Sequence, residues 1–454
     1  MDYELFKHVS TLHEGNTIYF YNWMNNIGLS IEKENILKID SNIVNFSKHF
    51  EQTNIDYLIK NMFISKNIIL DGLELQKEEF KKQLQRENDS LHLILLPAGY
   101  ACNFRCVYCY ENHQNTSKFS TFHNDKILQL INKHLDKNIH IEYFGGEPLL
   151  NYKWIKIFQE KIKNIQHNAS MTTNGYLLSS NKFQDLLQRN ITNYQITIDG
   201  IQETHDKLRI KCNGSGSYKT IMKNLQDISK LNSNYSIILR CNFNQESSKK
   251  LNRKLFFENL NFLKHDYRFR LIFRPIGLYS DANGTTTNKT FNAYYKDKYN
   301  VQNLWEQEAL ERGFLLGDIS LYSQIGGSIC YASKKNTMTI TPDMNILKCT
   351  IAVDQTYNNF GKIKDNIVLN ANKIQQWEKY INFDSNCGEC FFFFQCMGRS
   401  CALKNFIKKD KACPIQPTDR DQIIDKIRKQ KLILKERLID NEKKNYFKQD
   451  NIKY

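Results

Sequence analysis

The sequence predicts an α/β protein built on an open, partial (β/α)6 TIM-like barrel, with a small α+β unit before it and a cysteine-rich unit after it. Three observations predict this. Between about residues 91 and 277, extended apolar runs alternate strictly with helical patterns; these runs mostly end on Gly-containing turns; and cysteines gather in two separated groups, one just after the first run and one beyond residue 325. Strict alternation of strand and helix implies βαβ units and a parallel sheet. Six such units are too few to close an eight-stranded barrel, so the sheet is expected to stay open.

The elements follow in chain order. In residues 1–88 short extended runs, Thr17 to Tyr21 and Lys66 to Leu70, alternate with a helical stretch at Asn54 to Asn61, and a charged linker is expected from Glu78 to Asp89. The barrel is assigned to residues 89–310. Its strands read LHLILLP from Leu91, HIEYFGG to Gly146, ASMTTNG to Gly175, YQITIDG to Gly200, SIILRCNF to Phe243 and RFRLIFRPIG to Gly277. Helices are expected at Asp125 to Leu135, Trp154 to Ile165, Phe183 to Arg189, Tyr218 to Leu231 and Leu251 to Leu263. Residues 311–420 lose regular periodicity, as where metal clusters replace an apolar core. Residues 421–454 return to a helix with Ile424, Ile427, Leu434 and Leu438 at helical spacing, ending in a frayed tail.

Composition bounds the function. A chain of 454 residues supports two or three domains, and its polar N-terminus and lack of long apolar stretches predict a cytoplasmic protein with no membrane partner. Twelve Cys in that setting read as metal ligands rather than disulfides. The net charge of +15 comes from Lys scattered along helices with no aromatic-interleaved stripe, which favours a peptide over a nucleic-acid partner.

Cys102, Cys106 and Cys109 form Cys-X3-Cys-X2-Cys directly after the first strand. Three thiolates on one loop can hold three irons of a four-iron cluster and leave the fourth open to an exogenous ligand. A zinc site would need a fourth protein ligand, for which His113 is the one nearby candidate. In parallel α/β architecture the working residues lie at the C-terminal strand ends, so this loop should face one crevice with Gly145-Gly146-Glu147-Pro148, Thr172-Thr173-Asn174-Gly175 and Thr197-Ile198-Asp199-Gly200. Glycines there allow close backbone approach. Asn-Gly and Asp-Gly are equally ordinary turn pairs.

With Tyr108 before its last Cys, this segment resembles the radical S-adenosylmethionine (SAM) enzymes. The resemblance implies a SAM-binding [4Fe-4S] cluster on Cys102, Cys106 and Cys109, and production of a 5'-deoxyadenosyl radical. It further implies SAM contacts from Tyr108, from Gly145, Gly146 and Glu147 toward the amino group, and from Asn174 and Asp199 toward ribose and carboxylate. Arg209, after His205-Asp206, is a candidate partner for a carboxylate, with Arg240 a second.

The second group is Cys330, Cys349, Cys387-X2-Cys390-X5-Cys396-X4-Cys401 and Cys413, more thiols than one zinc needs. It resembles the SPASM domain of peptide- and protein-modifying radical SAM enzymes, so two auxiliary [4Fe-4S] clusters are implied. Cys387, Cys390, Cys396 and Cys413 would hold the distal one, and Cys330, Cys349 and Cys401 the one nearer SAM, one ligand short. This chain departs from the family twice: four residues rather than three precede Cys401, and Met344 stands where a Gly is expected, with Asn345 a candidate for the turn. Cys212 and Cys241 fall outside both groups.

Barrel plus SPASM implies modification of a peptide or protein, and the first 88 residues resemble the winged-helix-like leader-recognition domain of peptide maturases, which takes a leader at a sheet edge. The expected activity is that of sactipeptide- or ranthipeptide-type enzymes: a thioether or carbon-based crosslink installed in a precursor peptide, with electrons from a donor such as flavodoxin or ferredoxin. The alternatives are a formylglycine-forming anaerobic sulfatase-maturating enzyme and an iron–sulfur regulatory or RNA-associated protein.

Overall fold

The computed structural model describes residues 2–40, 42–66, 68–111, 113, 117–276, 298–378, 387, 390–399, 401–403, 413, 415 and 419–443. The N-terminal unit holds β1 (Asp2–Leu5), β2 (Val9–Glu14), β3 (Thr17–Asn22), β4 (Ile27–Glu32), β5 (Ile36–Asp40), β6 (Ile43–Phe46), α1 (Gln52–Lys60), β7 (Ile64–Ser65) and α2 (Ile68–Asn88). Its strands form two antiparallel sheets, β2-β3-β4 and β5-β6-β1-β7. Tyr3, Phe20, Val44, Leu58 and Phe63 make its own core.

Two expectations for this unit are corrected. Ile68 to Leu70 lie in α2, not in an extended run, and the stretch expected as a charged linker from Glu78 is the second half of that helix. The run Lys77 to Glu87 is almost entirely Glu, Lys, Gln and Arg, all good helix formers, and Lys82 pairs with Glu78 and Glu79 at 2.8 Å each. Charge without Gly or Pro made a helix.

The barrel follows as expected. Strands β8 (Ser90–Leu95), β10 (Asn138–Tyr143), β11 (His167–Thr173), β12 (Ile191–Thr197), β14 (Ser236–Phe243) and β15 (Phe269–Pro275) run parallel in the order β15-β14-β12-β11-β10-β8, Ile141 lying between Leu93 and Ala169. Helices α3 (Thr121–Asn132), α4 (Tyr152–Lys161), α5 (Ser180–Gln188), α6 (Gln202–Leu208), α7 (Tyr218–Ser229) and α8 (Lys250–Asn259) return the chain. They bury one face each: Tyr218, Ile221, Met222, Leu225 and Ile228 of α7 recur at helical spacing. Ile139, Ile141 and Tyr143 of β10 are buried in the same core, while His140 and Glu142 alternate to the inner face. A short ribbon pairs β9 (Phe104–Cys106) with β13 (Arg209–Lys211), which places Arg209 opposite Cys106.

Beyond α9 (Lys298–Glu311) and α10 (Gly317–Tyr322) the sheet continues rather than dissolving. β16 (Thr337–Ile340) pairs parallel with β8, and β17 (Asn345–Leu347), β18 (Asn359–Ile363) and β19 (Ile367–Leu369) extend it to ten strands. These strands are too short to show a period of two. Met344, not Asn345, takes the left-handed turn between β16 and β17, at φ 59°. After α11 (Ala371–Trp377) and α12 (Phe393–Cys396), helix α13 (Arg420–Lys443) packs Ile423, Ile424 and Ile427 into the core. The frayed end expected at Asn445 to Tyr454 lies outside the described residues, and among these no helix is long and apolar enough to cross a membrane.

Candidate functional site

At the C-terminal ends of the parallel strands lies a cavity of about 520 Å³, and Cys102, Cys106 and Cys109 share its wall with Tyr108, Gly145, Gly146, Asn174 and Arg209. Burial pushes all three thiols up, Cys109 to about 12 with Glu111 adding to the effect. A buried thiol of this kind ionises only when a cation compensates it. The loop supplies part of that compensation, because the Phe104 N–H donates to Cys102 Sγ at 3.4 Å. The same arrangement, an N–H two residues on that favours the thiolate, recurs at Cys109, Cys330, Cys349, Cys390 and Cys396. Six thiols with this donor are a set prepared for thiolate ligation, and they fit iron–sulfur clusters. Among the described residues no three His, Cys, Asp or Glu are grouped tightly enough for a single metal ion.

The Gly-Gly turn is pressed onto the cysteine loop. The Gly146 N–H donates to the Gly99 carbonyl at 3.1 Å and that of Glu147 to Ala101 at 2.9 Å; a Cβ on Gly146 would stand 2.4 Å from the Ala101 carbonyl oxygen. Only the two glycines of this motif reach the cavity. Glu147 is wholly buried behind the wall, where Oε1 accepts from the Leu149 N–H (3.0 Å) and Thr173 Oγ1 (2.8 Å), and Oε2 from the Asn174 N–H (2.8 Å) and Thr173 Oγ1 (3.0 Å). It clamps the end of β10 to the end of β11. Asn174 lies on the wall, its Nδ2 donating to Asn103 Oδ1 at 2.8 Å.

Asp199 is likewise behind the wall. It accepts from the Asn242 N–H at 2.8 Å and from the Tyr108 hydroxyl, and lies 3.9 Å from Arg209 Nη1. Burial raises its carboxyl, with Arg209 and the Tyr108 hydrogen bond opposing. Arg209 in turn donates from Nη1 to Tyr108 Oη at 2.9 Å and lies over the Phe104 ring, while its buried Nε has no partner. A guanidinium so placed can still take an anion from the cavity.

Sequence reasoning missed Glu142, Gln195, Asn242, Arg274, Tyr331 and Thr350, all on this wall. Glu142 and Gln195 carry a signal that could have found them: they alternate with the buried Ile141, Tyr143, Tyr194 and Ile196. Glu142 pairs with His92 Nε2 at 3.2 Å. Arg240 donates from Nε to Asn242 Oδ1 at 2.8 Å, and Arg274 grips Asp318 with two bonds of 2.6 Å. Glu111, also on the wall, is lifted to about 8 by burial and by Asp354.

The later cysteines fall into two neighbourhoods. Cys390 and Cys396 lie near enough to Cys387 and Cys413 to feel their charge, and Cys330 and Cys349 lie likewise near Cys401. The second set adjoins the cavity, since Tyr331, Thr350 and Ile351, next in chain to Cys330 and Cys349, line it. Met397 (φ 50°) and Gly398 (φ 67°), within the longer spacing before Cys401, are both left-handed. Cys241 is a buried core residue; exposed Cys212 accepts from Arg105 Nη1 at 3.0 Å beside the first cysteine loop.

The cysteine-type anaerobic sulfatase-maturating enzyme of Clostridium novyi (strain NT) is 28% identical over 233 residues, covering 46% of this chain and 60% of that protein. The radical SAM cyclopropyl synthase TigE of Paramaledivibacter caminithermalis is 26% identical over 220 residues, 43% of this chain and 46% of its own. The match thus spans only about half the length of these relatives. Native anSMEcpe with bound AdoMet and Cp18Cys peptide shares the fold with a TM-score of 0.54 and 16% identity, covering 77% of this chain and 99% of that one. Residues 96–251 match the radical SAM superfamily, so this segment of the chain is a radical SAM domain.

Proposed function

We propose that this chain is a peptide maturase that binds SAM in the cavity and installs a thioether or carbon-based crosslink in a ribosomally made precursor. A [4Fe-4S] cluster on Cys102, Cys106 and Cys109 supplies, when bound, the electron that cleaves SAM to a 5'-deoxyadenosyl radical. The chain's own residues do the placing. Gly145, Gly146, Asn174 and Tyr108 form the wall against which SAM lies, and Arg209 on the same wall brings a positive charge to a carboxylate. Glu147 and Asp199 act one layer back, holding strand ends and the Tyr108–Arg209 pair. Cys387, Cys390, Cys396 and Cys413 would hold one auxiliary cluster and Cys330, Cys349 and Cys401 another, with electrons drawn from a flavodoxin or ferredoxin.

The observation that carries this reading is a single cavity with the first three thiols on its wall and a three-thiol group beside it. A substrate sulfur held between them would lie in the cavity in which a substrate carbon radical would form. The N-terminal unit is compatible with a leader-bearing substrate, because an extended peptide can add to the edge of a sheet and β4, β5 and β7 stand at the edges of its two sheets. Likeness to sulfatase-maturating enzymes favours a second reading, formylglycine formation. The test is anaerobic incubation of reconstituted protein with dithionite and SAM. Formation of 5'-deoxyadenosine and methionine, lost in Cys102→Ala, is expected; none above buffer overturns the proposal. Mass spectrometry of a co-incubated precursor peptide and of a sulfatase peptide separates the two substrates.

A further inference from the structure

The segment from Cys390 to Arg399, which leads from one thiol group toward the other, is one surface on which the N-terminal unit is seated, alongside helix α13. The Trp23 ring meets Phe391 and Phe392 at centroid distances of 5.2 and 5.7 Å, and Gln395 Nε2 donates to the Trp23 carbonyl at 2.5 Å. The edge of His8 meets Phe394 at 5.5 Å. These are buried aromatic contacts, not the polar surface of a tethered module.

Arg399 makes the link directional. Its guanidinium takes both oxygens of Glu87, near the end of α2, at 2.6 and 3.0 Å, and Nη2 also donates to the Ser333 carbonyl at 2.6 Å. Ser333 Oγ in turn donates to the Cys330 carbonyl at 2.8 Å, and the Arg399 N–H donates to the Cys396 carbonyl at 2.7 Å. One residue therefore touches the turn after Cys330, in the three-thiol group, and Cys396, in the four-thiol group. The side chains of Glu87 and Arg399 are 4% and 1% exposed. A charge this deep is tolerated only when its partner stays in place.

We propose that Glu87 is a positioning residue for the auxiliary iron–sulfur region, and that the N-terminal unit, through Glu87 and Trp23, fixes how the two thiol groups are spaced. This rests on the reading of those groups as cluster sites. A peptide docked on the N-terminal unit is then held on the same packed body as the auxiliary thiols.

The experiment uses the full chain, reconstituted anaerobically, as parent, E87Q, E87D and W23A. Iron per chain and the midpoint potentials and EPR spectra of the auxiliary clusters are read, with reductive SAM cleavage as the control for the barrel. The parent should carry about three clusters, from ten Cys ligands; iron for only one would overturn the cluster reading itself. E87Q should lose about one cluster's iron or shift the auxiliary potentials, while 5'-deoxyadenosine formation persists. E87D, which keeps the charge with a shorter reach, should keep its iron and show a smaller shift. Auxiliary spectra and potentials in E87Q and W23A that match a three-cluster parent overturn the inference. If E87Q also loses SAM cleavage, E87D decides: shifted auxiliary potentials with cleavage intact support the inference, and unshifted ones overturn it.

Discussion

Glu147→Gln separates an internal clamp from a cofactor contact. The carboxylate is fully buried and its two oxygens already accept four close contacts, two of them from the backbone N–H groups of Leu149 and Asn174. An amide keeps one oxygen. Whichever way it turns, its NH₂ faces one of those backbone donors and leaves it unpaired. A lost bond to a charged acceptor costs about 1.5–3 kcal/mol and a stranded buried N–H about 1–3 kcal/mol. Against this, burial disfavours the ionised carboxylate and raises its pKa, so a neutral amide recovers part of the loss. The net expectation is a destabilisation of about 2–4 kcal/mol. Urea unfolding of parent and variant, loaded alike and followed by circular dichroism, measures it, with SAM affinity determined in parallel. A change within about 0.5 kcal/mol, the range of ordinary surface substitutions, joined to a large loss of SAM affinity, would refute the clamp and restore Glu147 as a direct ligand.

Three further outcomes follow from the geometry. Gly146→Ala places a Cβ 2.4 Å from the Ala101 carbonyl oxygen and 2.6 Å from that of Tyr100, so the cysteine loop must move; overpacking of this kind costs about 1–3 kcal/mol, and iron analysis should show the first cluster depleted. Arg209→Ala strands the Asp199 carboxylate, wholly buried, and should cost about 3–5 kcal/mol in denaturant unfolding, with Arg209→Lys between it and the parent. His8 is held neutral by burial, its pKa pulled down to about 4 against the Met62 carbonyl that it bonds. The unfolded chain takes up a proton near pH 6.5 that the folded chain refuses until about pH 4, so His8's contribution is complete above pH 6.5 and lost as pH falls through that window, about 3 kcal/mol in all. His8→Gln should flatten the stability profile between those limits relative to the parent; parallel profiles would exclude the linkage.

The barrel was legible because each of its six strands is an apolar run closed by a turn or proline, and burial on the helix-facing side demands such runs. The rest was hidden for two separate reasons. In α2 the helix former and the linker former are the same residues, Glu, Lys and Gln, and only the tertiary anchors Gln83 and Glu87, both buried, decide between them. In β16 to β19 the strands are three to five residues long, shorter than any window in which alternation can be counted. Their order comes from pairing with β8, a contact some 245 residues away in sequence.

At the site, residue type and position along a strand were legible, and side-chain direction was not. Cysteines, glycines and Asn174 at strand ends reach the cavity. Glu147 and Asp199 stand at equivalent positions, yet both turn inward, because each strand end presents backbone donors and hydroxyls that a carboxylate satisfies at short range. Had they faced the cavity, Asn174 and Asn242 would leave buried N–H groups unpaired at the base of the wall. The two departures from the expected cysteine pattern obey the same local logic. Met344 and Met397 hold left-handed turns that glycine would fill without strain, and each is 5% exposed or less. Packing outweighs the backbone strain of about 1–2 kcal/mol, so replacing either by glycine would relieve the turn and open a void, in the main core for Met344 and in the cluster that Cys387 packs against for Met397. The thiol geometry is thus held by the apolar core around it, which explains why cysteine spacing alone undercounts what fixes these sites.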